Sequence, residues 1–250
     1  MTTRLFHISD VHFGAEDRAA LDAVARAVAD ERPDAVVCTG DLTQRAKHSE
    51  YARAQEWFAS LGVPVVLEPG NHDMPYYNPW ERFTDPFRRY NRLRAAVQGR
   101  FASDDVVLVP LRTTVRAQTR FPWSDGVIRS VALADTLARL EALKGDPRTI
   151  IVTAHHPLLA KEDDGANPTI GGDAAFAAIA AAGAHAVMSG HVHVPFDEIR
   201  VRDGRALRMI GAGTLSTRLR HGAPASWRVI TCEPGGVVSS ELRLVCARAP

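Results

Sequence analysis

The segment Leu5-Phe6-His7-Ile8-Ser9-Asp10-Val11-His12 is the most informative part of this 250-residue chain for its fold. Its first four residues form an apolar run that is typical of a buried strand, and two metal-binding side chains, Asp10 and His12, follow directly. In open α/β sheets, ligands bind at the carboxyl ends of the strands. The stretch therefore predicts a strand that delivers metal ligands to one edge of a sheet.

Four later blocks repeat this arrangement, because each of them closes an apolar run. They are Gly40-Asp41, Gly70-Asn71-His72-Asp73, His155-x-Pro157 and Gly190-His191-x-His193. A mixed set of carboxylate, amide and imidazole donors suits a catalytic pair of transition metals, whereas a thiolate site would have a different composition. The sequence therefore predicts a dinuclear metal site with seven ligands: Asp10, His12, Asp41, Asn71, His155, His191 and His193.

Asp41 is the expected bridge between the two ions, because it follows Gly40 at the end of the second predicted strand. Asp10, His12 and His193 would complete one site, and Asn71, His155 and His191 would complete the other. Each residue also has an ordinary structural explanation, since aspartates cap helices and a single histidine is more often structural. The five blocks together, with glycine before three of them, favour the metal site.

Alternating strand and helix patterns predict a mainly parallel sheet, with helices over 18–29 and 49–61. After His193 the pattern changes to four strands, over 196–201, 206–210, 227–232 and 237–245, which either form a second sheet or extend the first. At 46% hydrophobic content, one core can be buried. We expect a single domain over 1–250, an α/β four-layer αββα sandwich of two mixed β-sheets flanked by helices.

Composition limits the partners and the compartment. A net charge of +1 gives no long-range electrostatic attraction for polyanions, so extended nucleic acid is not expected as a partner. No secretory signal is visible. The most apolar predicted helix lies around 174–182 and is too short to span a bilayer. The odd number of cysteines, three, favours a reducing compartment. The sequence therefore predicts a cytoplasmic protein without a transmembrane segment.

Residues 74–100 are rich in aromatic and arginine side chains. One interpretation is a helical cap insertion that lies over the site and contacts substrate; the other is an amphipathic helix packed on the flank of the sheet. His156, Arg45 and Tyr76 are the candidate substrate contacts. After the last block, Gly211-Ala212-Gly213 is expected to shape a loop that brings Thr214 or Arg218 toward the active edge.

The five blocks, D-x-H, G-D, G-N-H-D, H-x-P and G-H-x-H in that order, resemble the signature of the calcineurin-like metallophosphoesterase family and span Asp10 to His193. The resemblance implies a metallo-dependent phosphatase-like fold and the same assignment of ligands. It also implies two divalent or transition metal ions, manganese, iron or zinc, with magnesium possible. Residues 40–45 and 70–73 are similar to small bacterial members that include cyclic-nucleotide and glycerophosphodiester phosphodiesterases.

The expected reaction is hydrolysis of a small phosphodiester by a hydroxide that bridges the two metals. His72 is the expected general acid or transition-state donor, and Asp73 is expected to fix its tautomer. The pattern H-x-P selects His155 as the ligand and leaves His156 to support it or to contact substrate.

Other functions stay open at this point. The same two metals could serve a phosphomonoesterase, a pyrophosphatase or a nuclease, since the pocket walls choose the substrate. A non-catalytic scaffold is less favoured, because loss of ligands is expected there and none is lost. The sequence also leaves open whether the cap would close within one chain or across a homodimer.

Overall fold

The computed structural model describes residues 2–99, 101–160 and 169–245. Within these ranges the strands are β1 (Thr3–Ile8), β2 (Ala35–Cys38), β3 (Val65–Leu67), β4 (Val106–Pro110), β5 (Thr149–Thr153), β6 (Ala186–Ser189), β7 (Phe196–Arg202), β8 (Arg205–Gly211), β9 (Ser226–Glu233) and β10 (Val237–Leu244). The helices are α1 (Arg18–Glu31), α2 (His48–Ser60), α3 (Pro79–Thr84), α4 (Arg88–Val97), α5 (Ser130–Ala142) and α6 (Gly172–Ala181). The ends of the predicted domain and residue 100 of the predicted cap lie outside the described residues.

Two five-stranded mixed sheets form the centre of the molecule. Sheet one has the order β10-β9-β1-β2-β3, and sheet two has the order β4-β5-β6-β8-β7. In each sheet the central strands run parallel, and antiparallel strands close one side. The last four strands are divided between the two alternatives that the sequence left open: β7 and β8 complete sheet two, whereas β9 and β10 extend sheet one.

Successive side chains along each central strand pack into different layers of the molecule. In β2, Ala35 and Val37 pack between the two sheets, whereas Val36 and Cys38 pack against helices. In β5, Ile151 packs between the sheets, and its neighbours pack against α5 and α6. Because successive strand residues point to opposite faces, a fully apolar strand fits only between two covered faces. The predicted four-layer αββα sandwich is confirmed.

Helix α1 shows how the local sequence sets an element. Asp17 caps its start, since the side chain accepts hydrogen bonds from the N–H groups of Ala19 and Ala20. Its buried positions include Ala20, Val24 and Val28, which are four residues apart and therefore lie on one face. None of the helices in the described ranges is long and apolar enough to cross a bilayer.

Residues 74–99 contain α3 and α4, and α4 packs on the flank of sheet one. Tyr90 and Leu93 of α4 are buried in the cluster between that sheet and its helices. The Tyr90 hydroxyl donates a hydrogen bond to the Leu67 carbonyl oxygen at 2.6 Å. Trp80 of α3 is instead 80% exposed. The flank interpretation therefore describes α4, and a cap formed by this segment stays a prediction.

Candidate metal centre

The predicted ligands lie on the loops that follow β1, β2, β3, β5 and β6, at the edge where the carboxyl ends of these strands meet. The structure brings all seven together. Five of them have relative exposures of 1% or less: Asp10, His12, Asp41, His155 and His193. Asn71 and His191 are partly exposed and line a cavity. Two buried carboxylates therefore lie among buried imidazoles.

Unusual backbone conformations aim these side chains. Nine residues other than glycine have a positive φ in the described ranges, and five of them are predicted ligands: Asp10 (54°), His12 (48°), Asp41 (51°), His191 (70°) and His193 (62°). Such conformations cost on the order of 1 kcal/mol or more each and persist where neighbouring structure enforces them. Here the loop after β1 is hydrogen-bonded to the loop after β2. The Asp10 N–H donates to the Gly40 carbonyl oxygen, and the His12 N–H donates to the backbone carbonyl oxygen of Asp41.

Close approach of backbone to the carboxylates explains two of the glycines. A Cβ atom on Gly70 would collide with the Asp41 side chain, and one on Gly190 would collide with Ser9 and Asp10. The close approach lets backbone N–H groups just after each glycine reach the carboxylates. The His72 N–H donates to Asp41 Oδ1 and the His191 N–H donates to Asp10 Oδ2, each at 2.8 Å.

The first cluster consists of Asp10, His12 and His193, whose ligand atoms all lie within 4.8 Å of one another. His193 Nδ1 donates to the Arg218 carbonyl oxygen at 2.6 Å, so its Nε2 lone pair points inward. That Nε2 lies 3.1 Å from Asp10 Oδ1 and 3.2 Å from His12 Nε2. Electron-rich atoms at these separations require a proton or a cation between them.

The second cluster consists of Asn71, His155 and His191. His155 Nδ1 donates to the Thr39 carbonyl oxygen at 2.8 Å, and its Nε2 lies 3.1 Å from Asn71 Oδ1. The ring centres of His155 and His191 are 5.2 Å apart. Asp41 reaches both clusters, since its Oδ1 is 3.5 Å from His155 Nε2 and its Oδ2 is 3.6 Å from His12 Nε2. One carboxylate therefore spans two groups of donors.

The electrostatics of the buried groups fit positive charge at both clusters. Burial alone would raise the pKa of Asp10, but His193 and His155 hold it below its usual range. Burial would lower the pKa of His155, yet Asp41 raises it to about 9. Among the described residues, His193 Nε2 lies 3.1 Å from Asp10 Oδ1, but no hydrogen bond satisfies this buried oxygen. Since the donors are carboxylate, amide and imidazole, the residues fit two divalent cations.

A family comparison agrees with this geometry. The model of the calcineurin-like phosphoesterases matches residues 3–195. The chain belongs to the calcineurin-like phosphoesterase family.

Individual relatives of this family member match over shorter stretches. A probable cyclic nucleotide phosphodiesterase of Synechococcus sp. is 31% identical over 94 residues, which cover 34% of this chain and 35% of that protein. The glycerophosphodiester phosphodiesterase GpdQ of Enterobacter lignolyticus is 36% identical over 80 residues, 28% of this chain and 29% of that protein. The chain thus matches about a third of the length of each relative.

The fold agrees over the full length with a solved structure. A dimetal phosphatase from Danio rerio superimposes with a TM-score of 0.62, covering 98% of this chain and 99% of that one. At 13% identity this likeness concerns the fold alone.

His156 lies beside the second cluster of this calcineurin-like protein, but both of its ring nitrogens are engaged. Nε2 donates to the Ser124 carbonyl oxygen at 2.8 Å, and Nδ1 accepts from the Thr113 hydroxyl at 2.9 Å. Burial, together with neighbouring His191, holds its pKa well below the usual range. A neutral ring with no free lone pair cannot ligate a metal, so His155 is the residue of this pair that is free to bind one.

His72 faces the site with Nε2, because its Nδ1 donates to the Gln44 carbonyl oxygen at 2.7 Å. The expectation that Asp73 fixes the tautomer of His72 is therefore wrong. The buried Asp73 carboxylate instead accepts from the N–H groups of Leu42, Thr43 and Gly70 and from the Thr43 hydroxyl. Burial, together with Asp41, raises the pKa of Asp73 to about 7. Asp73 therefore connects the loop after β2 to the loop after β3.

A cavity of about 400 Å³ opens beside the ligands. Its lining includes Asp41, Asn71, His72, His191 and His193. The rest of the lining comes from residues 122, 124–126, 156–157, 159–160 and 169, from β7 and the loop before it, and from Arg218 and Arg220.

Two of the candidate substrate contacts lie elsewhere. Arg45 donates a hydrogen bond to the Tyr77 hydroxyl at 2.5 Å, and Tyr76 is 67% exposed. Neither residue lines the cavity, whereas His156 does. The loop after β8 does reach the site, because the Thr214 hydroxyl donates to the Asp10 carbonyl oxygen and Arg218 lines the cavity.

Proposed function

We propose that this protein is a dinuclear metal-dependent phosphodiesterase that hydrolyses small phosphodiesters of the cyclic-nucleotide or glycerophosphodiester type. The observation that carries the proposal is the position of Asp41 between two groups of donors, with His72 beside them. The names of the two partial relatives support a diester over a monoester.

Each ligand has a defined part in this proposal. Asp10, His12 and His193 would hold one ion, and Asn71, His155 and His191 would hold the other, with Asp41 available to both. Two divalent ions, manganese, iron or zinc, would supply an activated water and neutralise charge on the phosphoryl oxygens. The carbonyl oxygens of Thr39 and Arg218 accept from Nδ1 of His155 and His193, which leaves the Nε2 lone pair of each ring directed into the cluster, where a cation would be held.

His72 is the proposed proton donor to the leaving oxygen. The Gln44 carbonyl holds its Nδ1–H, so the ring presents Nε2 to the cavity. When the imidazole is doubly protonated, Nε2 donates to the leaving group, and afterwards it stands as a neutral acceptor. The cavity walls, which include Leu159, Val194 and Phe196, offer an apolar surface to the group that is released.

The test compares a matched aryl phosphodiester and aryl phosphomonoester as substrates. The full chain is freed of metal with a chelator and then reconstituted with manganese, and initial rates are measured with and without the metal. We expect metal-dependent hydrolysis that is faster on the diester. A faster rate on the monoester would move the assignment to a phosphatase. No metal-dependent turnover on either substrate would contradict the enzymatic proposal and favour a scaffold.

A positive result leads to a panel of natural substrate classes. Cyclic nucleotides and glycerophosphodiesters are compared by kcat/KM with the same manganese-loaded protein. We expect one of the two classes to be preferred, because cavity walls discriminate leaving groups more strongly than the metal ions do.

A further inference from the structure

Arg218 brings a guanidinium into the candidate site from outside the five motif blocks. It lies on the loop between β8 and β9, is half-buried and lines the cavity with Asp41, Asn71 and His72. Its carbonyl oxygen accepts from His193 Nδ1, so the backbone and the side chain of this residue both face the site.

Among the described residues, the guanidinium lies beside two imidazoles and one side-chain amide at the site. Its Nη1 lies 3.2 Å from His72 Nε2, 3.3 Å from His12 Nε2 and 3.4 Å from Gln44 Oε1. None of these partners carries a negative charge. Throughout the part of the chain that the structure describes, no carboxylate forms an ion pair with Arg218.

Two other partly buried arginines of this protein, Arg89 and Arg208, each pair with a carboxylate, Glu81 and Asp197 respectively. The buried Arg82 donates to the carbonyl oxygens of Arg116 and Pro75, whereas the guanidinium of Arg218 faces the cavity. An arginine stays charged in proteins, and withdrawing a charge from water is costly unless an anion faces it. The planar guanidinium also matches the spacing of phosphoryl oxygens. Arg218 therefore has the charge, the place and the shape of an anion receptor.

We propose that Arg218 binds a non-bridging oxygen of the phosphoryl group, between His72 and the ligands of the first cluster. The chemical identity of the anion rests on the proposed function. The side chain can be tested separately from the backbone. The backbone carbonyl oxygen of Arg218 accepts the hydrogen bond from His193 Nδ1, and every substitution at this position retains that carbonyl.

The experiment measures binding of inorganic phosphate, the simplest phosphoryl anion, to the manganese-reconstituted full chain by isothermal titration calorimetry. Arg218→Met is expected to weaken the phosphate Kd by about tenfold or more, as loss of a charge-assisted hydrogen bond predicts. Arg218→Lys should recover part of that loss, since it keeps the charge but not the fork. Metal content, measured by atomic emission, should equal that of the wild type.

Two neighbours on the same loop provide matched comparisons. Leu219 is 51% exposed, and Leu219→Ala disturbs the loop without removing charge. Arg220 lines the cavity without a bond to His72 or His12, so Arg220→Met removes the same charge from the same loop. We expect Leu219→Ala to leave the phosphate Kd unchanged and Arg220→Met to weaken it less than Arg218→Met does.

Two outcomes overturn the proposal. One is wild-type phosphate affinity in Arg218→Met at full metal content; the other is an equal loss in Arg220→Met, which would indicate a general field instead of a contact. If Arg218→Met loses metal, Arg218→Gln is judged by the same criteria. Failure of the proposed function is distinguishable, because phosphate binding that depends on Arg218 can persist when neither aryl ester is hydrolysed.

Discussion

The two sheets contribute unequal chemistry to one site. Of the seven predicted ligands, the loops of sheet one carry two carboxylates, one imidazole and one amide: Asp10, Asp41, His12 and Asn71. The loops of sheet two carry the other three ligands, all of them imidazoles: His155, His191 and His193. Each group of donors that could hold a cation draws on both sheets, through the approach of His193 to Asp10 and of His155 to Asp41. Negative charge thus comes from one sheet and neutral donors come from both.

The site therefore depends on the packing of the two sheets against each other. Neither sheet contains a complete set of ligands, and the buried carboxylates of sheet one would be costly without the donors that sheet two places opposite them. The apolar cluster that includes Leu5, Val37, Ile151 and Met188 fixes the two sheets against each other. Changing a ligand of one sheet should therefore have a different effect from changing a ligand of the other.

The largest effect is expected from Asp41→Asn, which removes the carboxylate that spans both clusters. Loss of the negative charge should prevent tight loading of the pair and lower kcat/KM about a thousandfold or more. Bound metal is counted by atomic emission, and the rate is measured on the preferred aryl ester. Asp22→Asn, on the exposed face of α1, is the control. Two bound ions in Asp41→Asn would contradict the bridging role.

Two donors of sheet two, His193 and His155, belong to different clusters, so removing them one at a time tests whether the clusters bind metal separately. His193→Ala is expected to lose the ion near Asp10, and His155→Ala the ion near Asn71, so each variant should retain about one ion instead of two. Metal-to-protein ratios at a fixed excess of manganese give the answer. Loss of both ions from each variant would mean that the clusters do not fill independently.

A smaller loss is expected from His72→Ala, which removes no predicted metal ligand. The rate should fall about a hundredfold, within the range for a lost general acid, while both ions remain bound. His48→Ala is the matched control, because His48 is exposed at the start of α2 and does not line the cavity. Full turnover by His72→Ala would refute the proton-donor role.

The smallest effect is expected on stability, at a contact between the sheets that includes no predicted ligand. Glu68, which follows β3, is 8% exposed and accepts a hydrogen bond from the Thr153 hydroxyl of β5 at 2.7 Å. Burial raises its pKa from 4.5 to about 7. The folded state therefore holds this proton more tightly than the unfolded state does, and Glu68 contributes a loss of stability as pH rises from about 4.5 to about 7.

Glu68→Gln removes this titration but keeps an oxygen that can accept from Thr153. Relative to wild type, the variant should gain up to about 3 kcal/mol in unfolding free energy between pH 5 and pH 8. Denaturant unfolding of chelator-treated protein at both pH values measures the difference. Glu56→Gln, on an exposed position of α2, should show no such change. An equal response of the two variants would mean that burial of Glu68 has no such linkage.

Local sequence predicted much of the fold. Apolar runs bounded by glycine, proline and aspartate predicted β1, β2, β3, β5 and β6, since a strand buried on both faces is a nearly continuous apolar run. Strand β4 and helix α5 were missed, although the run Val106-Val107-Leu108-Val109 after Asp105 carried the signal for the strand. The pairing of the last four strands was left open because partner choice depends on contacts between distant residues.

For the site, the motif blocks predicted which residues could bind metal, and the structure gathers all seven. The partner of His72 could not be predicted in this way. A backbone carbonyl, that of Gln44, holds its Nδ1, and any residue type could have supplied that oxygen. The same holds for the carbonyls of Thr39 and Arg218 that orient His155 and His193.

The set of donors and their places at strand ends could be read from the sequence, because residue type and hydrophobic period are local properties of the chain. Three relations could be seen only in the folded chain: which donors face each other, how Asp41 reaches both clusters and that Arg218 enters the cavity. Those relations depend on the packing of one sheet on the other and on positive-φ turns at the ligands, and both are set by contacts between residues far apart in the chain.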